Sequence, residues 1–527
     1  MTRWAIIADL NRCIGCQTCT AACKQANATA PGIQWRKVLD IETGTYPNVR
    51  RAFVPVGCMH CDDPPCVNVC PTTATGKRSD GIVTIDYDLC IGCAYCAVAC
   101  PYQARSRLDR PTFAYSDRPM RHEQLRENPA RIAVAQKCSL CVDRIDHGLE
   151  CGLVPGVDPA ATPACVTSCI AGALLFGDVD DPHSDATRLL AENRHFRMHE
   201  ALGTGPGIFY LWSGASDRED GFSDAPAMVA EPVGMAAVSP AQQQSWDWRA
   251  AANFILGGAG SGLFVAATAA LTGKPIFIPM LIALALVALG LLCVWLETGR
   301  PLRFINVFFH PQRSWMSREA LVAVPFFGFG VATAYFGSQV LAVAGAACGL
   351  AFLYCQARIL QAAKGIPAWR HNRIMPLVVT TGLAEGVGLL AIFVVFAGLE
   401  ASTMRLLAVA LLALIGLRHV MWQAYRGALG AEGAPTKTFE ALDGSPLKLT
   451  LGHQIVPVAI VVAGLLFDAL LPALLAVAAV FVVASGWMFK FTLITRASFN
   501  QGFAVERMPA RGAGDSALGI RPGWTLS

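Results

Sequence analysis

Long apolar runs fill the second half of the chain. Eight of them are long enough to cross a bilayer, at about 250–272, 276–297, 318–337, 339–360, 374–399, 402–424, 453–471 and 473–495. That many runs with so little charge would not all fit one soluble core, so the pattern predicts an all-α membrane domain of eight transmembrane helices. The first half is patterned differently. Short strand-like runs at 3–8, 51–56, 81–87 and 131–135 each lead into a group of cysteines. A strand followed by a cysteine loop, four times over, is an internal repeat and predicts an α+β domain. Residues 213–248, rich in Ser, Ala, Gly, Pro, Asp and Gln and without periodicity, read as a linker. The expected organisation is therefore 1–212, a cysteine-rich domain; 213–248, a linker; 249–497, the membrane domain; and 498–527, a tail.

Cysteine spacing gives the first half its chemistry. Cys90, Cys93, Cys96 and Cys100 follow C-x2-C-x2-C-x3-C, closed by Pro101. In bacterial ferredoxins the first three such thiolates hold one 4Fe–4S cube and the fourth ligates a second. Cys13, Cys16, Cys19 and Cys23 repeat the spacing. Cys58, Cys61, Cys66 and Cys70 vary it, and Cys138, Cys141, Cys165 and Cys169 stretch it. Structural zinc sites use two separated cysteine pairs, not runs of four closed by proline. Sixteen cysteines in four groups suit four 4Fe–4S clusters in a ferredoxin-like domain. By the exchange rule Cys70 joins Cys90, Cys93 and Cys96, and Cys100 joins Cys58, Cys61 and Cys66. Likewise Cys169 joins Cys13, Cys16 and Cys19, and Cys23 joins Cys138, Cys141 and Cys165. Cys151, inside the long gap, is an alternative ligand to Cys165, but Cys165-x3-Cys169 copies the end of the other groups, so Cys151 is expected to be a free thiol.

Composition narrows the class. Hydrophobic residues make up 54% and charged ones 15%, which favours a membrane protein. All 20 cysteines except Cys293, Cys348 and Cys355 precede the apolar runs. A disulfide scaffold is disfavoured by the size of the chain and by the fixed groups of four. A net charge of +4 with no basic run gives nucleic-acid binding no support. With eight spans, Arg300, Arg303, Arg313 and Arg318, then Arg358, Lys364, Arg370 and Arg373, then Arg426, Lys437 and Lys448 all fall on the side of the cysteine domain. The opposite loops carry little beyond Lys274 and Arg405. The positive-inside rule puts the cysteine domain in the cytoplasm, facing in from a bacterial inner membrane. The lack of an apolar signal peptide or a twin-arginine pair before Cys13 gives the same expectation.

The first 200 or so residues resemble the four-cluster iron–sulfur subunit of molybdopterin oxidoreductases of the dimethyl sulfoxide reductase type. The resemblance rests on Cys13–Cys23, Cys58–Pro71, the stretch Asp80 to Cys93, and Lys137 to Arg144. The membrane half resembles the anchor subunit of the same family, through Glu297 to Phe304, Ser314 to Glu319 and Asn500 to Gly512. The resemblance implies two subunits fused in one chain, which passes electrons between a molybdopterin-containing catalytic subunit and the membrane quinone pool. A cytoplasm-facing branch resembles quinone-linked sulfite dehydrogenases, so sulfite oxidation is the first expectation. Quinol-dependent reduction of dimethyl sulfoxide, thiosulfate, polysulfide or tetrathionate is the alternative. No substrate site of its own is visible, so substrate chemistry is expected on a separate subunit.

Quinone chemistry moves protons with electrons, and ionisable residues within a membrane are functional candidates. Glu297, Arg303 and His310 at the cysteine-domain end of the second span, Glu385 in the fifth and His419 in the sixth are the candidates for the quinone site. Arg418 and Arg303 also suit snorkelling to head groups, and Glu385 also suits a simple pairing with a neighbour. Asp468 sits near the far side. The spans hold too few histidines to favour a haem. A redox-driven pump would need a connected chain of acidic or lysine residues across several spans, and Glu385 alone is not one.

Overall fold

The computed structural model describes residues 2–43, 50–126, 128–212, 240–271, 277–398, 400–444 and 454–503. Among these, ten short strands lie in the first half: β1 (Trp4–Asp9), β2 (Arg36–Thr43), β3 (Arg50–Gly57), β4 (Thr75–Lys77), β5 (Val83–Ile85), β6 (Ser106–Arg107), β7 (Ala135–Gln136), β8 (Leu174–Asp178), β9 (His195–Phe196) and β10 (Ile208–Leu211). A four-stranded sheet in the order β8-β1-β10-β9 ties the two ends of this half together. β1 runs parallel to β10 with Ile6 opposite Ile208, and antiparallel to β8 with Ile6 opposite Phe176. The other strands pair two by two, β2 with β3, β4 with β5 and β6 with β7. The run at 131–135 forms almost no strand, because Ala133 takes a left-handed backbone (φ 60°) and Pro129–Arg131 turns as a 3-10 helix. Helix α1 (Thr18–Asn27) follows the first cysteine loop and α2 (Val142–Glu150) follows Cys141.

The second half is helical: α3 (Trp248–Ala270), α4 (Phe277–Glu297), α5 (Trp315–Phe336), α6 (Gln339–Ala362), α7 (Ile374–Phe396), α8 (Ala401–Leu429), α9 (Val456–Leu466) and α10 (Leu471–Thr495). Seven described helices are long and apolar enough to cross a membrane; the last of them is counted from Asp468. The seventh predicted run, 453–471, differs. The α-helix in its described part is the 11-residue α9, which at 1.5 Å per residue spans about half a bilayer core. Residue 453 itself lies outside the described residues, as do 213–239 of the predicted linker and 504–527 of the predicted tail.

α3 is the centre of the membrane half; 83% of its apolar window is buried, far more than in α4 or α5. Gly262 of α3 meets Gly382 and Gly386 of α7 backbone to backbone, the close approach that small residues allow between membrane helices. A methyl group at 386 would run into the backbone of Gly262, which cannot swing aside as a side chain can. Gly386→Ala is therefore expected to cost about 1–3 kcal/mol, read as a lower melting temperature of the detergent-solubilised chain; an unchanged melt would refute the contact.

The two halves share one core. Buried Cys90, Tyr95 and Cys96 pack in the same cluster as Ala357, Trp369 and Leu493. The segment between α4 and α5, with the first turn of α5, is laid along the cysteine loops by hydrogen bonds to their carbonyls. Arg300 N–H donates to Ile91 O (3.0 Å), Asn306 to Leu89 O (3.2 Å), Ser314 to Val69 O (2.8 Å) and Ser317 to Pro71 O (3.1 Å). Tyr95 donates its hydroxyl to Ile359 O near the end of α6 (2.7 Å). Backbone carbonyls at the junction of the two halves are satisfied in this way.

Candidate functional site

The four cysteine loops turn alike. The residue two places after the first cysteine has a positive φ in each: Gly15 (72°), His60 (44°), Gly92 (71°) and Leu140 (56°). Glycine meets this requirement freely, whereas His60 and Leu140 hold it against steric cost. The turn aims successive thiols inward.

Thiols from different loops then gather in four sets. Cys13, Cys16, Cys19 and Cys169 line one small cavity; Cys58, Cys61, Cys66 and Cys100 line another. Cys23, Cys138, Cys141 and Cys165 face one another, with Asn27 Nδ2 lying 3.7 Å from Cys23 Sγ and 3.6 Å from Cys141 Sγ. Cys70, Cys90, Cys93 and Cys96 form the remaining set. Neighbouring sets lie within electrostatic reach, through Cys19 and Cys165, Cys138 and Cys58, and Cys66 and Cys96. The sets thus stand in a line: the Cys13 set first, the Cys138 set second, the Cys58 set third and the Cys90 set fourth. The fourth borders the membrane half. Cys151 belongs to none of them. It is exposed at the end of α2, with Sγ 3.9 Å from His147 Nε2.

Among the described residues no three His, Cys, Asp or Glu side chains converge closely enough to hold a single metal ion. A zinc ion needs its donors within about 2.0–2.3 Å of one point; thiols spread around a cavity suit the separate corners of an iron–sulfur cube. Burial pushes the Cys19 thiol up to about 11 and the Cys96, Cys100 and Cys138 thiols up to about 12. Such thiols stay protonated unless a metal takes the proton's place.

Two arginines stand between sets. Arg36 is fully buried, its three guanidinium nitrogens have no oxygen partner among the described residues, and it faces Cys165, Cys138, Cys23 and Cys19. Burial opposes its charge, yet these thiols hold it above the ordinary arginine value. Arg105 repeats the arrangement between the third and fourth sets, facing Cys66, Cys96, Cys58 and Cys100, with Nη1 donating to Thr75 Oγ1 (3.0 Å) and Nη2 unpartnered. Lone buried cations are costly unless negative charge sits beside them, and thiolate-bound clusters would supply it.

On the membrane side, Cys93 itself lines a cavity of about 20 Å³ together with Trp246, Asn253, Glu297 and Glu319. Trp246 donates its indole N–H to Cys93 O (3.0 Å) and stacks on Trp369 with ring centres 5.6 Å apart. Glu297 Oε1 accepts the Asp247 N–H (3.0 Å), and Glu319 Oε1 accepts from Asn253 Nδ2 (3.4 Å). Asn253 begins a π-turn, Asn253–Gly257, inside α3, a distortion frequent at functional sites. Half-buried Val294, Thr298 and Met316 form the outer wall.

The five candidates from sequence therefore part company. Glu297 lines this cavity. Arg303 donates to Tyr87 O (2.7 Å) and Cys90 O (3.3 Å), and His310 Nδ1 pairs with Cys70 O (2.8 Å), so both clasp the fourth thiol set from outside. Glu385 is buried in α7 against Lys490, and His419 is exposed on α8 beside Gln454. Arg418 does not snorkel; it is buried and donates to Ser485 Oγ (3.0 Å). Sequence reading missed Glu319, Asn253 and Lys490 as site residues. Glu319 closes the Ser314–Glu319 stretch that carries the resemblance to the anchor, which was the one available signal.

The chain belongs to the family of iron–sulfur subunits of dimethyl sulfoxide reductase-type oxidoreductases, joined here in one polypeptide to the anchor subunit of that type. Residues 49–114 match the family model of the 4Fe-4S dicluster domain, and residues 254–428 match that of the DMSO reductase anchor subunit (DmsC). The chain is 40% identical over 222 residues to a selenate reductase subunit of Mesobacillus selenatarsenatis, covering 40% of this chain and 72% of that protein. It is 37% identical over 227 residues to a sulfite dehydrogenase subunit of Allochromatium vinosum (40% and 83%). It is 39% identical over 213 residues to a tetrathionate reductase subunit of Salmonella typhimurium (40% and 72%). The chain is an iron–sulfur electron-transfer subunit and an integral membrane anchor at once.

Proposed function

We propose that this chain carries electrons between a molybdopterin-containing catalytic subunit and the quinone pool of a bacterial inner membrane. Residues 1–212 hold four 4Fe–4S clusters through the sixteen grouped cysteines, residues 213–248 link, residues 249–497 form an eight-span quinone-reactive anchor, and 498–527 form a cytoplasmic tail. The clusters supply one-electron carriers. The observation that carries the reading is the line of four thiol sets ending at Cys93, which shares a cavity with Glu297 and Glu319 at the membrane edge. Electrons and protonatable groups meet there, as quinone reduction to quinol requires. At about 20 Å³ the cavity has room for one water, so a quinone head group seats itself by displacing Val294 and Met316. The arginine-rich segments gather on the cluster side, which favours a cytoplasmic cluster domain.

Sulfite is the preferred substrate of the complex, supported by the cytoplasmic orientation and by the similarity to a sulfite dehydrogenase subunit. The reverse flow, from quinol to an oxidant, is favoured by the similarity to the selenate and tetrathionate reductase subunits. Electron paramagnetic resonance on membranes carrying the complex separates the two. Sulfite is expected to reduce the clusters and an added quinone to reoxidise them. Reduction by a quinol analogue alone, with reoxidation by tetrathionate, selenate or dimethyl sulfoxide, would replace sulfite by a terminal acceptor.

A further inference from the structure

The middle of the membrane half holds a buried ion pair that spacing in the sequence hides. Lys490 Nζ of α10 donates to Glu385 Oε2 of α7 at 2.6 Å, and the two side chains are 1% and 0% exposed. Glu385 lies about three turns into its helix. Ordinary packing does not require this pair: a buried ion pair is often no more stabilising than apolar side chains of equal volume, and ionisable groups at this depth mark ion or proton pathways. The neighbouring helices make room for it. A side chain at Gly258 would collide with Lys490 Nζ, and one at Gly486 with Glu385 Oε1.

Polar groups continue from the pair in both directions. On one side is the buried Arg418, whose charge acts on Glu385 and which donates to Ser485. On the other, Gln356 borders the same space beside Gly258 as Lys490, and its Nε2 donates to Asn253 O (3.0 Å). Asn253 Nδ2 donates to Glu319, which lines the cavity with Cys93 and Glu297. Three buried acceptors along this line, Asn253 Oδ1, Gln356 Oε1 and Glu385 Oε1, have no protein partner among the described residues. Buried acceptors are normally satisfied; a water can satisfy the two amide oxygens, and a water or a proton the carboxylate oxygen.

We propose that Lys490 and Glu385 are a proton-loading pair that exchanges protons with the cavity through Glu319 and through waters held by the open amide oxygens of Gln356 and Asn253. The proposal rests on the reading of that cavity as the quinone seat. Each quinone converted to quinol takes two electrons from the cluster line and two protons, and the reverse reaction releases them. A proton leaving Lys490 Nζ towards Glu319 leaves a neutral amine beside Glu385, and a proton arriving at the free Glu385 Oε1 restores the charge balance of the pair.

The test uses the whole complex in liposomes with a short-chain quinone. Glu385→Gln is expected to slow quinone turnover by about 100-fold, the usual worth of a positioned proton transfer, and to raise the solvent deuterium isotope effect. Cluster potentials should stay in place, as should the change that a hydroxyquinoline N-oxide inhibitor makes in the spectrum of the cluster nearest the membrane. The double variant Glu385→Gln/Lys490→Met removes both charges together, so it keeps the packing without stranding either one, and it should stay slow. Glu319→Gln, at the other end of the line, should show the same isotope effect. A double variant that turns over at the wild-type rate would show the pair to be structural and overturn the relay alone. A wild-type complex that neither reacts with the quinone nor responds to the inhibitor would overturn the quinone seat and the relay with it.

Discussion

Cys96→Ala is expected to yield a chain that still enters the membrane and keeps most of its iron, yet delivers almost no electrons to quinone. Cys96 is buried in the fourth thiol set, and that set alone, through Cys93, lines the cavity at the membrane edge among the described cavities. With four thiolates per cube, iron should fall from about sixteen to about twelve atoms per chain. The signals of the other three clusters should persist, because the remaining twelve cysteines are untouched. Quinone turnover should drop by more than the roughly 10–100-fold that loss of a mere supporting partner costs at a metal site. Iron analysis, spin integration and quinone reduction on the same preparation check all three. Undiminished quinone turnover would mean that electrons leave the line elsewhere.

The second large effect concerns the lone arginines. Arg105 faces thiols of the third and fourth sets, and Arg36 those of the first and second. A cluster that gains an electron gains negative charge, and a buried cation beside it favours that state. At a separation of roughly 7 Å and an effective dielectric of about 20, a unit charge is worth about 2.4 kcal/mol, or on the order of 100 mV for one electron. Arg105→Met keeps the apolar stem and deletes the charge. It should lower the midpoint potentials of the two clusters nearer the membrane by on the order of 100 mV and leave the far pair nearly unmoved. Arg36→Met should do the converse. Redox titrations followed by electron paramagnetic resonance read both, and potentials that do not move would show the guanidinium groups to be electrostatically silent.

Cysteine spacing made the first half legible, because ligand loops are local and repeat. The structure draws Cys169 to the Cys13 loop and Cys23 to the Cys138 loop across more than a hundred residues. Cys151 falls outside the sets because α2 carries it away from Cys165. The membrane half was legible as helices and opaque as a site. Apolar runs report burial in lipid but not which faces meet, so a pairing of Glu385 with some neighbour was legible while the partner, Lys490, 105 residues on, was not. Lys490 stands near the end of its helix, where a lysine in sequence looks like an interface residue. Asn253 gave no signal either, since the π-turn that directs it has no composition of its own. Arg303 and His310 were singled out for their chemistry, and the structure sets them on carbonyls of the cysteine loops, contacts that side-chain chemistry alone does not announce.

The shared core of the two halves also bears on biogenesis. Trp246 and the segment from Gly299 to Ser317 close over the loop that carries Cys90, Cys93 and Cys96, and Gly92 packs so tightly against Ala133 and Gly299 that no side chain fits there. With that segment in place, Cys90 and Cys96 are buried and Cys93 is only partly exposed. That burial favours an order of maturation in which iron and sulfide enter while the cysteine domain is still free of its helices, and docking onto the bilayer-embedded half follows.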